Sequence, residues 1–216
     1  MSEQQTFWEE GGVYRPSDHP VVELFARQRV RHLAERGALA GAVSLLDVGA
    51  GSGFSSIYYP EEIRVVACDY AGGMLRGNPA RERARCRADA LPFAADAFDV
   101  VSCWELLHHL DDPVAALREM WRVARRRLVV FEPNRIHPGH LVLGLTRENE
   151  RLSLRFTPGH LRRLVHAATG RRGRLHERCG LLFPNVTPLS VARVLVRLPY
   201  AAPVVGISQL LVVEKD

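Results

Sequence analysis

Apolar positions along the chain follow two rhythms. From Pro20 to Arg36 they recur at helical spacing, with Val21, Leu24, Phe25 and Leu33 near one face and Gly37 and Gly41 closing the segment. Ser44-Leu45-Leu46-Asp47-Val48 and Arg64-Val65-Val66-Ala67-Cys68, the latter running into Asp69, are short apolar runs of the kind that a parallel sheet buries on both faces. Cys86 to Ala88 reads as a weak third strand, Phe98 to Cys103 as a strong fourth, and Leu128 to Phe131 as a fifth. Asp112 followed by Pro113 is a helix start, continued by Leu117, Met120, Trp121 and Ala124 at helical spacing. Thr157-Pro158 opens another helix, with Leu161, Leu164 and Val165 on one face and Gly170 at its end. Leu175 to Gly180 and Ile207 to Glu214 complete the strands.

Strands alternating with helices predict an α/β chain with a doubly wound, mostly parallel sheet of seven strands covered on both faces. Repeats and low-complexity linkers are lacking, so residues 1–216 read as a single domain. Residues 1–40 are expected to form a helical cap or lid. Residues 133–156, with His137, Pro138, Gly139, His140, Leu141, Leu143 and Leu145, are too long for an ordinary strand-to-helix turn and read as an insertion near the substrate site.

Composition narrows the class. A chain of 216 residues that is 47% apolar and 25% charged buries a full core without metal or crosslinks, which excludes a disordered segment, collagen or a disulfide scaffold. Cys68, Cys86, Cys103 and Cys179 are scattered, with neither disulfide nor zinc-ligand spacing, so no metal is expected and a reducing, cytoplasmic setting fits. Residues 1–20 lack the apolar core of a signal peptide. The apolar stretch Leu189 to Val213 is broken by Arg193, Arg197, Pro199 and Pro203, so no membrane span is expected.

The net charge of +5 raises the question of a nucleic-acid partner. Lys215 is the only lysine, however, and an almost pure arginine usage points to compositional bias rather than to phosphate contacts. The run Arg162 to Arg178 also lacks the interleaved aromatic rings on which bases stack.

In a doubly wound sheet, ligands sit beyond the carboxyl ends of the strands, and the first strand-to-helix turn is the usual contact. That turn is Gly49-Ala50-Gly51-Ser52-Gly53, preceded by Asp47. Glycine there lets the backbone turn sharply and approach a ligand. A dinucleotide fingerprint would place its third glycine where Phe54 stands, which argues against a nicotinamide dehydrogenase.

Leu45 to Gly53 resembles the first motif of class I S-adenosylmethionine-dependent methyltransferases. Three further segments resemble that family in order: Asp69 at the end of the second strand, Arg87-Ala88-Asp89-Ala90-Leu91-Pro92-Phe93, and Phe98 to Cys103 followed by Glu105-Leu106-Leu107-His108-His109-Leu110. The Leu-His-His element is similar to the small-molecule branch that includes ubiquinone and menaquinone methyltransferases (methyltransferase type 11). The resemblance implies a Rossmann-like methyltransferase fold that binds S-adenosyl-L-methionine and leaves S-adenosyl-L-homocysteine.

By that resemblance the backbone of Gly49, Ala50, Gly51 and Gly53 would hold the methionine part of the cofactor, with Asp47 supporting the turn. Asp69 would bind both ribose hydroxyls, Tyr70 would lie beside it, and Met74 would pack on the adenine. Asp89 would accept from the adenine amino group, with the Ala90 N–H facing a ring nitrogen and Leu91 adjacent. Cys103 and Trp104 would border the sulfonium, His108 would border the cofactor or the substrate, and Tyr14 would sit over the cofactor carboxylate. Plainer readings stay open: Asp69 as a helix cap, Asp89 as turn chemistry, and Cys103 as a small apolar filler.

An activated methyl group needs chiefly a nucleophile held about 3 Å away, in line with the departing sulfur, with water kept out. Candidates for a base are His108, His109, His137 and Glu132, and none is singled out. Ser102-Cys103-Trp104-Glu105 is unlike the Pro-Pro pattern of amino methylation, and neither a Pro-Cys nucleophile nor a metal-binding carboxylate cluster is present. The expected acceptor is therefore a small apolar or aromatic molecule. An RNA methyltransferase and a non-catalytic cofactor-binding interaction module are the alternatives. Oligomeric state is not legible.

Overall fold

The structure is a computed structural model that describes residues 15–146 and 148–215; Tyr14 and the first part of the expected cap lie outside them. In chain order the helices are α1 (Pro20–Glu35), α2 (Gly72–Arg76), α3 (Pro113–Val123), α4 (Pro138–Thr146), α5 (Pro158–Thr169) and α6 (Leu189–Leu195). The strands are β1 (Ser44–Val48), β2 (Arg64–Asp69), β3 (Glu82–Arg85), β4 (Phe98–Trp104), β5 (Ala124–Pro133), β6 (Leu175–Cys179) and β7 (Ser208–Glu214). Short 3-10 turns occupy Leu107–His109 and Glu148–Arg155.

The seven strands form one sheet in the order β3-β2-β1-β4-β5-β7-β6. The first five in that spatial order run parallel, and β7 lies antiparallel to both β5 and β6. The order reverses between β1 and β4, which is where an open α/β sheet leaves a crevice at its carboxyl edge. One face is covered by α3 and α5 through Leu117, Met120, Leu161 and Val165. The other is covered by α1 and α6 through Val21, Phe25, Leu33 and Ala192.

Local chemistry explains the boundaries. Asp112 accepts from the N–H groups of Val114 and Ala115, at 3.0 and 2.9 Å, just ahead of Pro113. Thr157 caps α5, and Gly170, with φ of 68°, ends it in the left-handed conformation that glycine adopts without penalty.

Three expectations are corrected. The third strand is Glu82–Arg85 rather than Cys86 to Ala88: an edge strand, with alternately half-buried and exposed charged residues, carries no apolar run. Helix α3 stops at Val123, and Ala124 already pairs with Phe98 as the first residue of β5. The connection between β1 and β2 holds turns over residues 51–57 and no helix. Ser52, Gly53, Ser55 and Ser56 are poor helix formers, and the hydroxyls of Ser55 and Ser56 bond instead to Asp47, at 2.5 and 2.6 Å.

Asp99, 1% exposed, ties the start of β4 to the start of β1. Its Oδ2 accepts from the Val43 and Ser44 N–H groups at 2.9 and 3.2 Å, and its Oδ1 from Arg125 Nε at 2.9 Å. Burial opposes the charge, yet the Val43 N–H, Arg125 and Ser44 hold the pKa at about 2. A folded-state pKa below the unfolded value stabilises above about pH 4, and the gain is lost as pH falls toward 2. Asp99→Asn is therefore expected to cost at least about 2 kcal/mol at neutral pH, with a deficit that shrinks between about pH 4 and 2. Urea unfolding across that range checks this, and a deficit independent of pH would contradict it.

Candidate active site

The carboxyl ends of β1, β2 and β4 open into a cavity of about 1000 Å³. One end is lined by Gly49, Ala50, Gly51, Asp69, Tyr70 and Met74, with Asp89 at the rim. The other is lined by Phe25 and Arg29 of α1, Trp104 and Glu105 at the end of β4, His140 of α4, and Ser208 of β7.

At the first end the glycines have structural cause. Gly49 and Gly51 have φ of 72° and 48°, and a Cβ on Gly49 would lie 2.7 Å from Leu106 Cδ1. A Cβ on Gly51 would lie 3.2 Å from the Met74 methyl carbon, so Met74 packs directly over the turn. Asp69 binds the turn from the neighbouring strand, its Oδ2 accepting from the Gly51 N–H at 2.7 Å and its Oδ1 from the Ala71 N–H at 2.8 Å. Asp47 lies beneath the turn at 1% exposure and does not reach the cavity. Gly53 packs on Asn78 and Pro79 outside the lining.

Asp89 pairs with Arg87 at 2.8 and 2.6 Å, and this partner, against the opposing effect of partial burial, lowers its pKa. The Ala90 N–H donates to the Arg87 carbonyl at 3.2 Å, closing the turn on itself, so it does not point freely at a ligand. Leu91 is buried, and its N–H donates to Glu119 at 3.1 Å. Neither Ala90 nor Leu91 lines the cavity.

Beyond β4, Cys103 is fully buried and off the cavity, and burial pushes its thiol pKa well up, as expected of an apolar filler. Glu132 is also fully buried. Its Oε1 accepts from the Leu106 and Leu107 N–H groups at 3.0 and 2.7 Å, and its Oε2 lies 2.8 Å from His108 Nδ1. It braces the loop and does not reach the cavity. His108 and His109 both line it, with ring centroids 3.9 Å apart. Burial and then the proximity of His108 hold the His109 pKa well below the ordinary imidazole value. His137 lies off the cavity, its Nδ1 accepting from the Gly139 N–H at 3.0 Å, and its neighbour His140 takes the place on the wall.

Two charged residues join the site without having been expected. Arg29 is 1% exposed, with Cζ 4.3 Å from the Phe25 ring, 4.5 Å from Phe131 and 5.1 Å from Trp104. Its Nε donates to the Tyr200 hydroxyl at 3.1 Å, and its Nη2 to Ser208 Oγ and Glu105 Oε1, each at 2.5 Å. Burial works against the cation, but Tyr200 and Glu105 keep its pKa above the usual guanidinium value. Glu105 has φ of 55°, a left-handed backbone that costs a residue with a side chain roughly 1–2 kcal/mol. A sequence signal existed for Arg29: it falls in the stripe Val22, Ala26, Leu33 on the buried face of α1.

A parallel sheet with an antiparallel β7, flanking helices and a cavity over the β1/β4 switch point defines the class I S-adenosylmethionine-dependent methyltransferase fold. Among solved structures, such a methyltransferase from Thermotoga maritima overlays with a TM-score of 0.67 at 17% identity, covering 90% of this chain and 92% of that one. Residues 46–130 match the methyltransferase domain family. Its sequence is similar to demethylmenaquinone methyltransferases: 42% identical over 93 residues to that of Mycolicibacterium paratuberculosis, covering 41% of this chain and 40% of the relative. The enzyme of Mycobacterium bovis is 39% identical over 130 residues, covering 56% of this chain and 55% of the relative. The match thus spans about half or less of these relatives' length. Among the described residues, no helix is long and apolar enough to cross a membrane.

Burial raises the Asp47 pKa to about 6, against the pull of the Ser55 and Ser56 hydroxyls and with a further push from Asp69. A carboxyl whose folded-state pKa lies above its unfolded value carries a penalty that is absent below about pH 4 and grows as pH rises to about 6. Relative to the unmodified chain, Asp47→Asn is therefore expected to gain up to about 3 kcal/mol in unfolding free energy between about pH 4 and 6.5. Paired denaturation curves read the difference directly, and a relative stability that falls with pH would refute it.

Proposed function

We propose that this chain moves the methyl group of S-adenosylmethionine to a small apolar or aromatic molecule by in-line displacement, releasing S-adenosylhomocysteine. The observation that carries the reading is Asp69: a carboxylate at the end of β2, lining the cavity opposite Met74 and beside a glycine turn with bare backbone. A carboxylate can accept from two hydroxyl donors at once, which suits a ribose laid against the stretch of cavity wall that Asp69 lines. Similarity to demethylmenaquinone methyltransferases supports a small-molecule acceptor.

The donor set fits the cofactor. Met74 and Tyr70 would flank the nucleobase, Asp89 would meet its amino group at the rim, and the backbone at Gly49 and Gly51 would border the amino-acid tail. When bound, the cofactor supplies a methyl group already activated by a positive sulfur. Trp104, Phe25 and His140 form the walls at the acceptor end and exclude water there. Helix α1 and the inserted α4 would then serve as the cover over the acceptor, and His108 and His109 would border the reacting centre. His109, held neutral by burial, and His108, engaged with Glu132, orient the site without being required as bases.

Calorimetric titration tests this. Binding of S-adenosylmethionine and S-adenosylhomocysteine is expected, with no binding of NADH. Asp69→Ala should weaken the sulfonium cofactor by about 1.5–3 kcal/mol, the scale of hydrogen bonds to a charged group. Binding of NADH in place of the sulfonium, or unchanged affinity in Asp69→Ala, would overturn the assignment.

A further inference from the structure

We propose that the connections leaving the carboxyl ends of β5 and β6 dock this chain on the surface of a bilayer that carries anionic lipids, with α4, α6 and the turn before β7 as the contact. This goes beyond the reaction and does not depend on which molecule the cavity receives.

The strands direct the chain there. β6 runs parallel to β5, because both pair antiparallel with β7. Both therefore end at the carboxyl edge, and their onward connections, 134–157 and 180–207, leave the sheet together. Phe183 of the second packs on His137 and His140 of the first, with ring centroids 5.5 and 5.1 Å apart, and the Asn134 amide donates to the Gly206 carbonyl at 2.8 Å. Ten of the twelve large apolar side chains exposed among the described residues lie in these two connections.

In α4 the outward positions are Leu141, Val142 and Leu145, the last 70% exposed, while His140 and Gly144 turn inward. In α6, Ala192 and Leu195 pack in the core with α1, and Val191, Val194 and, in the turn that follows, Leu198 recur at helical spacing on the outward side. Val204, 79% exposed, and Val205 form the tip of a turn that the Gly206 N–H closes on the Ala202 carbonyl at 2.7 Å. A helix covering a soluble domain ordinarily gives its outer face to charge, and these give theirs to valine and leucine.

Charge identifies the occupant. Residues 133–146 and 178–213 contain no aspartate or glutamate, and exposed Arg135, Arg193 and Arg197 are interspersed with the apolar groups. Glu148 and Glu150, which follow α4, stand between Arg147 and Arg151. Apolar side chains flanked by arginine match the interface of an anionic bilayer, where valine and leucine enter the headgroup boundary and each guanidinium meets lipid phosphate. A second copy laid face to face would instead set Arg193 and Arg197 against their own counterparts with no acid between them. At nine and seven residues, α4 and α6 are far shorter than the roughly 20 that cross a bilayer, so they would lie along it.

The test sediments the full chain with vesicles of phosphatidylcholine alone and of phosphatidylcholine mixed with phosphatidylglycerol. Binding to the anionic vesicles is expected to be about tenfold or more tighter. Arg193→Gln with Arg197→Gln should lower it about tenfold, and Val204→Ser with Val205→Ser about fivefold or more. Arg162→Gln with Arg163→Gln removes the same charge from the exposed side of α5 and should leave binding within about threefold. All of these side chains are exposed, so each variant is expected to keep the thermal unfolding of the unmodified chain. Failure to sediment with either vesicle, equal losses in the α5 pair, or binding indifferent to the valine substitutions overturns the proposal. A dimer in sedimentation equilibrium that Val194→Glu dissociates would assign the face to a second copy and overturn it as well.

Discussion

The cavity depends on one buried carboxylate that never touches it. Glu132, at zero exposure in β5, receives the Leu106 and Leu107 N–H groups on one oxygen and faces His108 with the other. A chain leaving a parallel strand carries backbone donors that would be costly to bury unpaired. By absorbing two of them, Glu132 lets the loop after β4 turn back sharply enough to set Glu105 in a left-handed conformation and to press Leu106 onto Gly49. Burial raises the Glu132 pKa and His108 lowers it, so imidazole and carboxyl settle their protons as one unit rather than as independent acid and base. The two loops that frame the cavity, after β1 and after β4, thereby rest on each other through Leu106 and Gly49.

The same device recurs along the carboxyl edge. Asp69 reaches from β2 to the Gly51 N–H, and Asp47 receives two serine hydroxyls beneath the glycine turn. Each carboxylate ties one strand end to a neighbouring loop without filling the space above. These bonds also explain how the first connection does without a helix. Its turns are held by Asp47 below, by Asp69 at the side and by Asn78, whose amide donates to the Gly51 carbonyl at 3.1 Å.

Much of this was legible in the chain, for definite reasons. Leu45 to Val48, Phe98 to Cys103 and Leu128 to Phe131 are apolar because the central strands are covered on both faces, and the Asp112-Pro113 and Thr157-Pro158 pairs announce helix starts through local bonds. Glu82–Arg85 escaped because an edge strand pairs through its backbone and through surface ion pairs such as Arg64–Glu82, and so carries no apolar run. Gly49, Gly51, Asp69 and Met74 converge as their order along the chain implies, since a glycine turn and an acid at the next strand end need only parallel pairing to meet. The turn reading describes Ala90, whose N–H closes on the Arg87 carbonyl, whereas Asp89 pairs with Arg87 and still lines the cavity. Glu105 and Arg29 could not be paired from sequence. Their meeting depends on how α1 crosses the sheet, and only a cation within the apolar stripe of α1 hinted that one of them is buried.

Charge inside the cavity runs against charge outside it. The chain as a whole carries +5, yet the lining holds Asp69, Asp89, Glu105, Asp111 and Asp112 against Arg29 and Arg87. Arg29 is paired with Glu105 and Arg87 with Asp89. The end lined by Phe25 and Trp104 is different. There the buried guanidinium lies among three aromatic rings and neutralises the local acid, so an apolar molecule meets little net charge. A single cavity thus joins a glycine-turn end to an aromatic end, and the aromatic end is built around the one arginine that α1 contributes to the lining.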